Sequence, residues 1–340
     1  MPEEYEKELI GPAPDPNVKP TTTLPLDAVK EKPIDLIKVI KRYPHLNKEL
    51  QVIMDLDTFK STIIGPLPKR APPSRLSKAD VRMLDEEVVA RIHANKVKCC
   101  LSTFKVPKSS RPRARCILNG RPLNDASERP GHFSMPYYER IRGRILSRNY
   151  AYGIDMRNYY YQIPLAPGVN AYFCFRVAGG SFRCFVRLPQ GWSFSAKIAQ
   201  AISEAWCSEA GAEADTTCLI DDYLILADTA EIVETNAHKI KQVICAHGGT
   251  VNFDKSSETA MTTVGYAGLL WDLSKKAHRL ADAFQERWLP WFEHIQTTPP
   301  MTARAWVSVA SVMFCAVRVL ELPPARYRPA YRWVAHIASA

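Results

Sequence analysis

The stretch 218–226, CLIDDYLIL, places two adjacent aspartates between two apolar runs that have the composition of β-strands. Adjacent acids at the tip of a hairpin repel each other and gain nothing from packing, so Asp221 and Asp222 call for a cationic partner. Aspartate is also a common turn residue, and the dipeptide alone fits a polar hairpin turn equally well. The surrounding sequence has to decide between a metal site and a simple turn.

A third isolated acid lies at the end of another apolar run. Asp155 closes the segment 150–155, YAYGID, which has the composition of a strand. If this strand lies beside the hairpin in one sheet, its carboxylate converges with those of Asp221 and Asp222. Mg²⁺ prefers such oxygen ligands, with Mn²⁺ as an alternative, and completes its shell with water and phosphate oxygens. The sequence therefore predicts a site for two divalent ions and the chemistry of nucleotidyl transfer.

The rest of the chain predicts a mixed fold of helices and strands. Ser77 can cap a helix over 77–96, whose apolar residues keep helical spacing. Proline recurs through 11–33, so we expect an irregular extension there that is flexible or wraps the surface. Further helices are predicted over 34–43, 195–210 and 232–249 and in most of the chain beyond Leu273, a hairpin over 102–118, and strands over 170–177, 182–189, 250–256 and 263–272.

Composition predicts a folded, basic protein. The 340 residues are 46% hydrophobic, which is enough for a sizeable core and excludes wholesale disorder. The 45 Lys and Arg residues exceed the 35 Asp and Glu residues, and the net charge of +10 suits a polyanion such as nucleic acid or an anionic membrane. The nine cysteines form no C-x-x-C pair, so neither a disulfide framework nor a structural zinc site is indicated.

The sequence also predicts an intracellular protein, in the cytoplasm or nucleus, that is not secreted and has no membrane partner. The first nine residues are acidic and lack the apolar core of a signal peptide. The longest weakly charged stretch, 305–317, is shorter than the roughly 20 residues that cross a bilayer, and it fits a buried helix better. Cysteine usage agrees with a reducing compartment.

Six segments in order resemble motifs of the reverse transcriptase family, over Arg75 to Asp272. They are STFKVPKSSRPRARCILNGRPLN (102–124) in the fingers, GIDMRNYYYQIPL (153–165) at the first catalytic strand, LPQGWSFSAKIAQ (188–200), CLIDDYLI (218–225), VNFDKS (251–256) and VGYAGLLWD (264–272), which is similar to the primer-grip hairpin. The residues of these motifs are most similar to those of retrotransposon enzymes of the long-terminal-repeat or tyrosine-recombinase type.

The resemblance implies roles for the charged residues that match. Asp155, Asp221 and Asp222 are implied as catalytic ligands of two Mg²⁺ ions. Lys108 and Arg115 match the lysine and arginine that grip the incoming triphosphate. Phosphoryl transfer is catalysed mainly by positioning the substrate and neutralising its charge, and such cations and metal ions do both.

It also implies roles for neighbouring residues. Tyr160 is implied as the aromatic gate that clashes with a ribonucleotide's 2′-hydroxyl, so that DNA synthesis is favoured. Gln190, Gly191 and Ser195 are implied to contact nucleotide or template. Lys255 is implied to donate a proton to the leaving pyrophosphate. On the sequence alone, each of these residues could also have a purely structural role.

The family's fold is α+β, a right-hand polymerase with fingers, a palm of antiparallel sheet backed by helices, and a helical thumb. The resemblance implies an RNA-directed DNA polymerase that adds deoxynucleoside triphosphates to a primer on an RNA or DNA template. The implied divisions are 1–74, a Pro-rich N-terminal extension; 75–128, fingers; 129–162, palm; 163–194, fingers; 195–272, palm; and 273–340, a helical thumb-like region with no RNase H domain expected in it.

Two other functions remain open on the sequence. One is a catalytically idle relative that keeps its basic cleft as an RNA-binding scaffold. The three retained acids argue against it, because an unused acid cluster in a basic cleft weakens phosphate binding. The other is an RNA-copying RNA polymerase, which Tyr160 disfavours.

Overall fold

The computed structural model describes residues 24–68, 76–84, 86–108, 112–133, 138–177, 180–211, 215–282, 286, 310, 312–314, 316–317, 319–323, 328 and 332. Contacts divide the chain into two compact units, one formed by 21–261 and the other by 1–20 together with 262–340. Both contain antiparallel sheets, and the larger also contains helices that pack on its sheets. The expected α+β class is confirmed.

The described part of the larger unit begins with an extended segment, 24–35, followed by three short helices, α1 (Leu36–Arg42), α2 (Asn47–Met54) and α3 (Leu56–Ser61). The Asp35 carboxylate caps α1 by accepting the Lys38 N–H at 2.9 Å, and Asp55 caps α3 in the same way. The predicted helix over 34–43 is confirmed. These helices place Leu50, Ile53 and Phe59 in the core, so this part of the N-terminal region is packed into the domain.

The central sheet carries the acids. Strand β4 (Tyr150–Asp155) pairs antiparallel with β8 (Asp222–Ala227), and β8 pairs antiparallel with β7 (Asp215–Leu219). Helices α7 (Ser193–Ala210) and α8 (Ala230–Ala246) pack on this sheet. Apolar side chains on the helices and the sheet are buried together, among them Trp206. This is the expected palm architecture of an antiparallel sheet backed by helices.

Two further small sheets lie in the described part of the larger unit. Strands β2 (Thr103–Pro107) and β3 (Ala114–Leu118) form the predicted hairpin. Strand β6 (Phe182–Phe185) lies between β1 (Val89–Ile92) and β5 (Cys174–Arg176). The helices α4 (Lys78–Met83), α5 (Arg121–Asp125) and α6 (Tyr138–Leu146) and the 3₁₀ turns Pro44–Leu46, Ala94–Lys96, Tyr159–Gln162 and Val169–Tyr172 connect these elements.

Two sequence predictions in this unit are wrong. Ser77 does cap a helix, in a capping box with Asp80, but that helix ends at Met83 instead of continuing to 96. The segment after it becomes strand β1, because pairing with β6 overrides the helical spacing. The predicted strand over 250–256 is a single bridge between Val251 and Met156, followed by a turn.

The smaller unit is described mainly through a three-stranded meander. Strands β9 (Thr263–Tyr266), β10 (Leu269–Asp272) and β11 (Ala277–Leu280) pair in order. The predicted strand pair over 263–272 is confirmed, whereas β11 falls where the sequence predicted helix. Most of the helical region predicted beyond Leu273 lies outside the described residues. Among the helices that are described, none has the length and apolar character of a membrane span.

Candidate active site

The three predicted acids meet at one point on the central sheet. Asp155 is the last residue of β4 and Asp222 the first of β8, and the two are direct partners across the ladder. Asp221 precedes Asp222 in the hairpin turn. One carboxylate oxygen from each lies within 4.8 Å of the others, and all three side chains are half-buried. The predicted convergence is confirmed, and a set of three hard oxygen donors fits a divalent cation such as Mg²⁺.

The turn that carries Asp221 has a strained backbone. Leu219 pairs with Asp222, which leaves Ile220 and Asp221 as a two-residue loop. Ile220 has a φ of 57°, in the left-handed region that β-branched residues rarely adopt. Such a conformation persists only where its surroundings hold it in place, and it is common at functional sites.

Helix α7 holds this turn through two buried polar side chains. Gln200 Oε1 accepts the Ile220 N–H at 2.7 Å, and Ser203 Oγ donates to the Ile220 carbonyl at 2.6 Å. Gln200 Nε2 also donates to the Cys218 carbonyl at 3.1 Å. The Tyr223 hydroxyl donates to Ser203 Oγ at 2.8 Å, and burial raises the pKa of that hydroxyl well above its ordinary range. The position of Asp221 is therefore fixed from α7.

Asp155 is positioned by the segment after α8. Asn252 Nδ2 donates to Asp155 Oδ1 at 2.7 Å, and Ser256 Oγ accepts the Asp155 N–H at 3.1 Å. Burial raises the pKa of the Asp155 carboxyl, and the nearby Asp221 carboxylate also raises it, whereas Lys255 and Asn252 lower it. A bound cation would remove this penalty, because it stabilises the ionised carboxylates.

A cavity of about 370 Å³ opens beside the acids. Its walls bring acidic, basic and aromatic side chains from distant parts of the sequence together. Seven of the ten predicted site residues line it: Lys108, Arg115, Asp155, Tyr160, Gln190, Asp221 and Lys255. Arg115 and Lys255 are exposed, so both cations are accessible from solvent. Arg111, another basic residue of the predicted finger hairpin, lies outside the described residues.

The tyrosines at 159–161 take different positions. The Tyr159 hydroxyl is fully buried and donates to the Ala199 carbonyl at 3.1 Å, and the Tyr161 hydroxyl donates to the Cys116 carbonyl at 2.8 Å. Tyr160 is 8% exposed, against 2% and 5% for its neighbours, and all three residues line the cavity. The slightly larger exposure of Tyr160 suits the gate role predicted for it, and the hydrogen bonds of Tyr159 and Tyr161 help to hold the fold.

The segment 188–195 is a tight connection between β6 and α7. Gly191 has a φ of 107°, and a Cβ there would lie 2.0 Å from the Leu118 carbonyl oxygen, so only glycine fits. This close approach holds Gln190 at the cavity wall. Ser195 is fully buried and its hydroxyl donates to the Pro189 carbonyl at 2.8 Å. The structure thus places Ser195 behind the connection, as a support for it, and Gly191 acts through its backbone.

Several functional residues escaped the sequence reasoning. Gln200 and Ser203 give the clearest missed signal, because two polar side chains three residues apart interrupt the apolar face of a buried helix. Asn252 had no separate signal, since asparagine is common in turns. Asp27 and Glu31 also line the cavity, and they belong to the segment that the sequence indicated only as an irregular extension.

Comparison with solved structures shows the same fold. A foamy viral protease-reverse transcriptase in complex with double-stranded DNA matches with a TM-score of 0.62 at 16% identity, covering 99% of this chain and 56% of that one. A foamy viral protease-reverse transcriptase in complex with RNA/DNA hybrid matches at 0.56 and 15% identity, covering 100% and 43%. Another complex with double-stranded DNA matches at 0.55 and 16%, covering 93% and 72%. This chain thus spans about half the length of the first two structures.

Sequence comparison gives the family. The comparison with curated protein sequences found no match. The family model described as reverse transcriptase (RNA-dependent DNA polymerase) matches residues 75–270, which is more than half of the chain and contains all three acids of the site. The chain belongs to the reverse transcriptase family.

Proposed function

We propose that this protein is an RNA-directed DNA polymerase that extends a primer with deoxynucleotides by two-metal nucleotidyl transfer. The observation that carries the proposal is the meeting of three carboxylate oxygens within 4.8 Å of one another, at a cavity that Lys108, Arg115 and Lys255 also line. Acids alone would repel a triphosphate, and cations alone would bind it without activating it. Together they match what nucleotidyl transfer requires.

Asp155, Asp221 and Asp222 would hold two Mg²⁺ ions, which when bound activate a primer hydroxyl and neutralise charge on the leaving phosphates. Lys108 and Arg115 draw the triphosphate into the cavity and orient it. Lys255 lies close enough to Asp155 to lower its pKa and is the proposed proton donor to pyrophosphate. Tyr160 fills the space that a 2′-hydroxyl would need.

The proposed partners are a primed RNA or DNA template and deoxynucleoside triphosphates. The net charge of +10 favours a polyanionic partner. The matching foamy viral structures contain double-stranded DNA and an RNA/DNA hybrid, which supports the same kind of partner here. The similarity of the motif residues to those of retrotransposon enzymes supports an origin in a retrotransposon. The eight cysteines that the structure describes are all free thiols, which supports an intracellular, reducing compartment.

Primer extension tests the proposal. The protein is given a DNA primer on an RNA template, Mg²⁺, and either deoxy- or ribonucleoside triphosphates. We expect extension with deoxynucleotides and its loss in Asp221→Asn. Asp57→Asn is the matched control, because Asp57 is 88% exposed and pairs only with Lys60 among the ion pairs seen. Tight binding of primed template without extension by the unaltered protein would favour the idle RNA-binding scaffold instead.

A further inference from the structure

The extended segment 24–35, here called the strap, crosses the wall of the cavity. Asp27 N–H donates to the Ala114 carbonyl at 3.0 Å, and Val29 N–H donates to the Met83 carbonyl at 3.1 Å. Further along, Ile34 N–H donates to the Gln162 carbonyl at 2.7 Å. Leu26 is fully buried and Val29 is 4% exposed. The strap is therefore fixed on both the finger hairpin and the palm.

The strap brings two carboxylates into the cavity. Asp27 forms an ion pair with Lys108, in which the two side chains are only 19% and 14% exposed. Glu31 pairs with Arg157 at 3.0 Å and also accepts from the Asn158 amide at 3.1 Å. Both acids line the same cavity as Asp155 and Asp221. Residues from outside the family motifs thus change the charge of the proposed nucleotide site.

The Asp27 pair differs from a second lysine pair on the same hairpin, that of Lys105 on β2. Lys105 Nζ donates to the Leu24 carbonyl at 3.0 Å and to Asp80 at 3.2 Å, and the Asp80 carboxylate belongs to the capping box of α4. That pair is a fixed part of the fold and is not among the residues that line the cavity. Lys108 does line the cavity, so its carboxylate partner lies where an incoming anion would have to bind.

We propose that Asp27 sets the affinity of the site for triphosphates by pairing with Lys108 until a triphosphate displaces the Asp27 carboxylate. This inference rests on the proposed function for the identity of the substrate. A triphosphate carries several negative charges and can replace one carboxylate at Lys108, whereas a singly charged anion gains little by doing so. The apparent affinity for a triphosphate is the intrinsic affinity multiplied by the fraction of molecules in which Lys108 is available. The strap thereby disfavours weakly charged anions.

Binding of inorganic tripolyphosphate to the full-length protein, measured by calorimetry, tests this directly. If the pair is formed in about nine of ten molecules, Asp27→Asn binds about tenfold more tightly than the unaltered protein. The gain must disappear when Lys108→Ala is added, because Asp27 acts through Lys108. Asp57→Asn removes an acid from an exposed lysine pair and serves as the matched control, with no change in binding.

Unchanged or weaker binding by Asp27→Asn, in a variant whose thermal unfolding matches the unaltered protein, overturns the proposal. A tenfold gain that persists without Lys108 also overturns it. If Asp27→Asn does not fold, Asp27→Ser is measured in its place against the same outcomes, because it keeps the backbone bond to Ala114.

Steady-state kinetics separate this inference from the proposed function. On a primed template, Asp27→Asn is expected to lower the KM for deoxynucleotide by a similar factor of about ten. If the unaltered protein extends no primer, the polymerase proposal fails while the tripolyphosphate measurement still decides the role of Asp27. If it extends primer and Asp27→Asn leaves both KM and tripolyphosphate affinity unchanged, the role of Asp27 fails and the polymerase proposal stands.

Discussion

Gln200 accepts the backbone N–H of Ile220 at 2.7 Å, so a helix that contributes no metal ligand holds the turn that carries Asp221. The same side chain donates to the Cys218 carbonyl on the strand before the turn. Because Ile220 has a φ of 57°, the turn depends on this bracing to keep its conformation.

Replacing Gln200 with methionine, Gln200→Met, keeps the volume and removes both hydrogen bonds to the turn backbone, together with the one that Gln200 donates to the Glu204 carboxylate. Two backbone groups are then left unpaired, which we expect to lower the free energy of unfolding by about 2–4 kcal/mol. Urea unfolding measures the change. Gln242→Met, at an exposed position on α8, is the control and should change stability by less than about 0.5 kcal/mol. Equal stability of the two variants would contradict the bracing role of Gln200.

Gly191→Ala should destabilise the protein and displace Gln190 from the cavity. The new Cβ would lie 2.0 Å from the Leu118 carbonyl oxygen, on a backbone with a φ of 107°. We expect a loss of about 2–4 kcal/mol in unfolding free energy, measured by urea unfolding. Gly143→Ala, within α6 and with open space around the new Cβ, should instead stabilise by about 0.5–1 kcal/mol. A tolerated Gly191→Ala would show that the close approach to Leu118 is not required.

Tyr160→Ala should relax discrimination between deoxy- and ribonucleotides, because it removes the ring beside the cavity. We expect the ratio of kcat/KM values for the two sugars to fall by about tenfold or more, equivalent to a loss of at least about 1.4 kcal/mol. Tyr160→Phe keeps the ring and should retain the discrimination. If Tyr160→Ala selects deoxynucleotides as strongly as the unaltered protein, another residue is the gate.

Stability should fall as the pH is lowered below neutrality. Burial lowers the pKa of His247 from its ordinary value of 6.5, and the opposing Glu209 carboxylate does not cancel this effect. The unfolded chain therefore binds a proton at a higher pH than the native state does, and stability is lost as the pH falls below about 6.5. His247→Gln should weaken this pH dependence of unfolding free energy, whereas His238→Gln, at an exposed position on α8, should not. If unfolding free energy depends on pH in the same way in the two variants, His247 is not the source of the pH dependence.

The sequence predicted those parts of the fold in which local pattern and tertiary contacts agree. The apolar runs around Asp221 became strands, and the periodic segment after Gly191 became α7. The helix predicted from Ser77 failed beyond Met83 because strand β6, distant in sequence, offers Val89 a pairing partner. The spacing of apolar residues within one segment does not reveal pairing with a strand that is distant in sequence.

The same distinction applies to the site. The convergence of the three acids was predictable because isolated carboxylates at strand ends have few structural uses. The supports of those acids were not, since Asn252 and Ser256 act through hydrogen bonds to a strand about a hundred residues away. The strap was missed for another reason: Asp27 is an ordinary acid in a Pro-rich segment, and only the folded chain brings it to Lys108.

Incorporation of a single deoxynucleotide into a primer on an RNA template, compared among variants of the three acids, tests the central claim most directly. Asp155→Asn, Asp221→Asn and Asp222→Asn should each slow incorporation by about 10³-fold or more, because each removes a carboxylate from the shared metal site, a loss of about 4 kcal/mol. Asp57→Asn should incorporate at the rate of the unaltered protein. Normal incorporation by any of the three acid variants would contradict the claim that Asp155, Asp221 and Asp222 act together on one pair of metal ions.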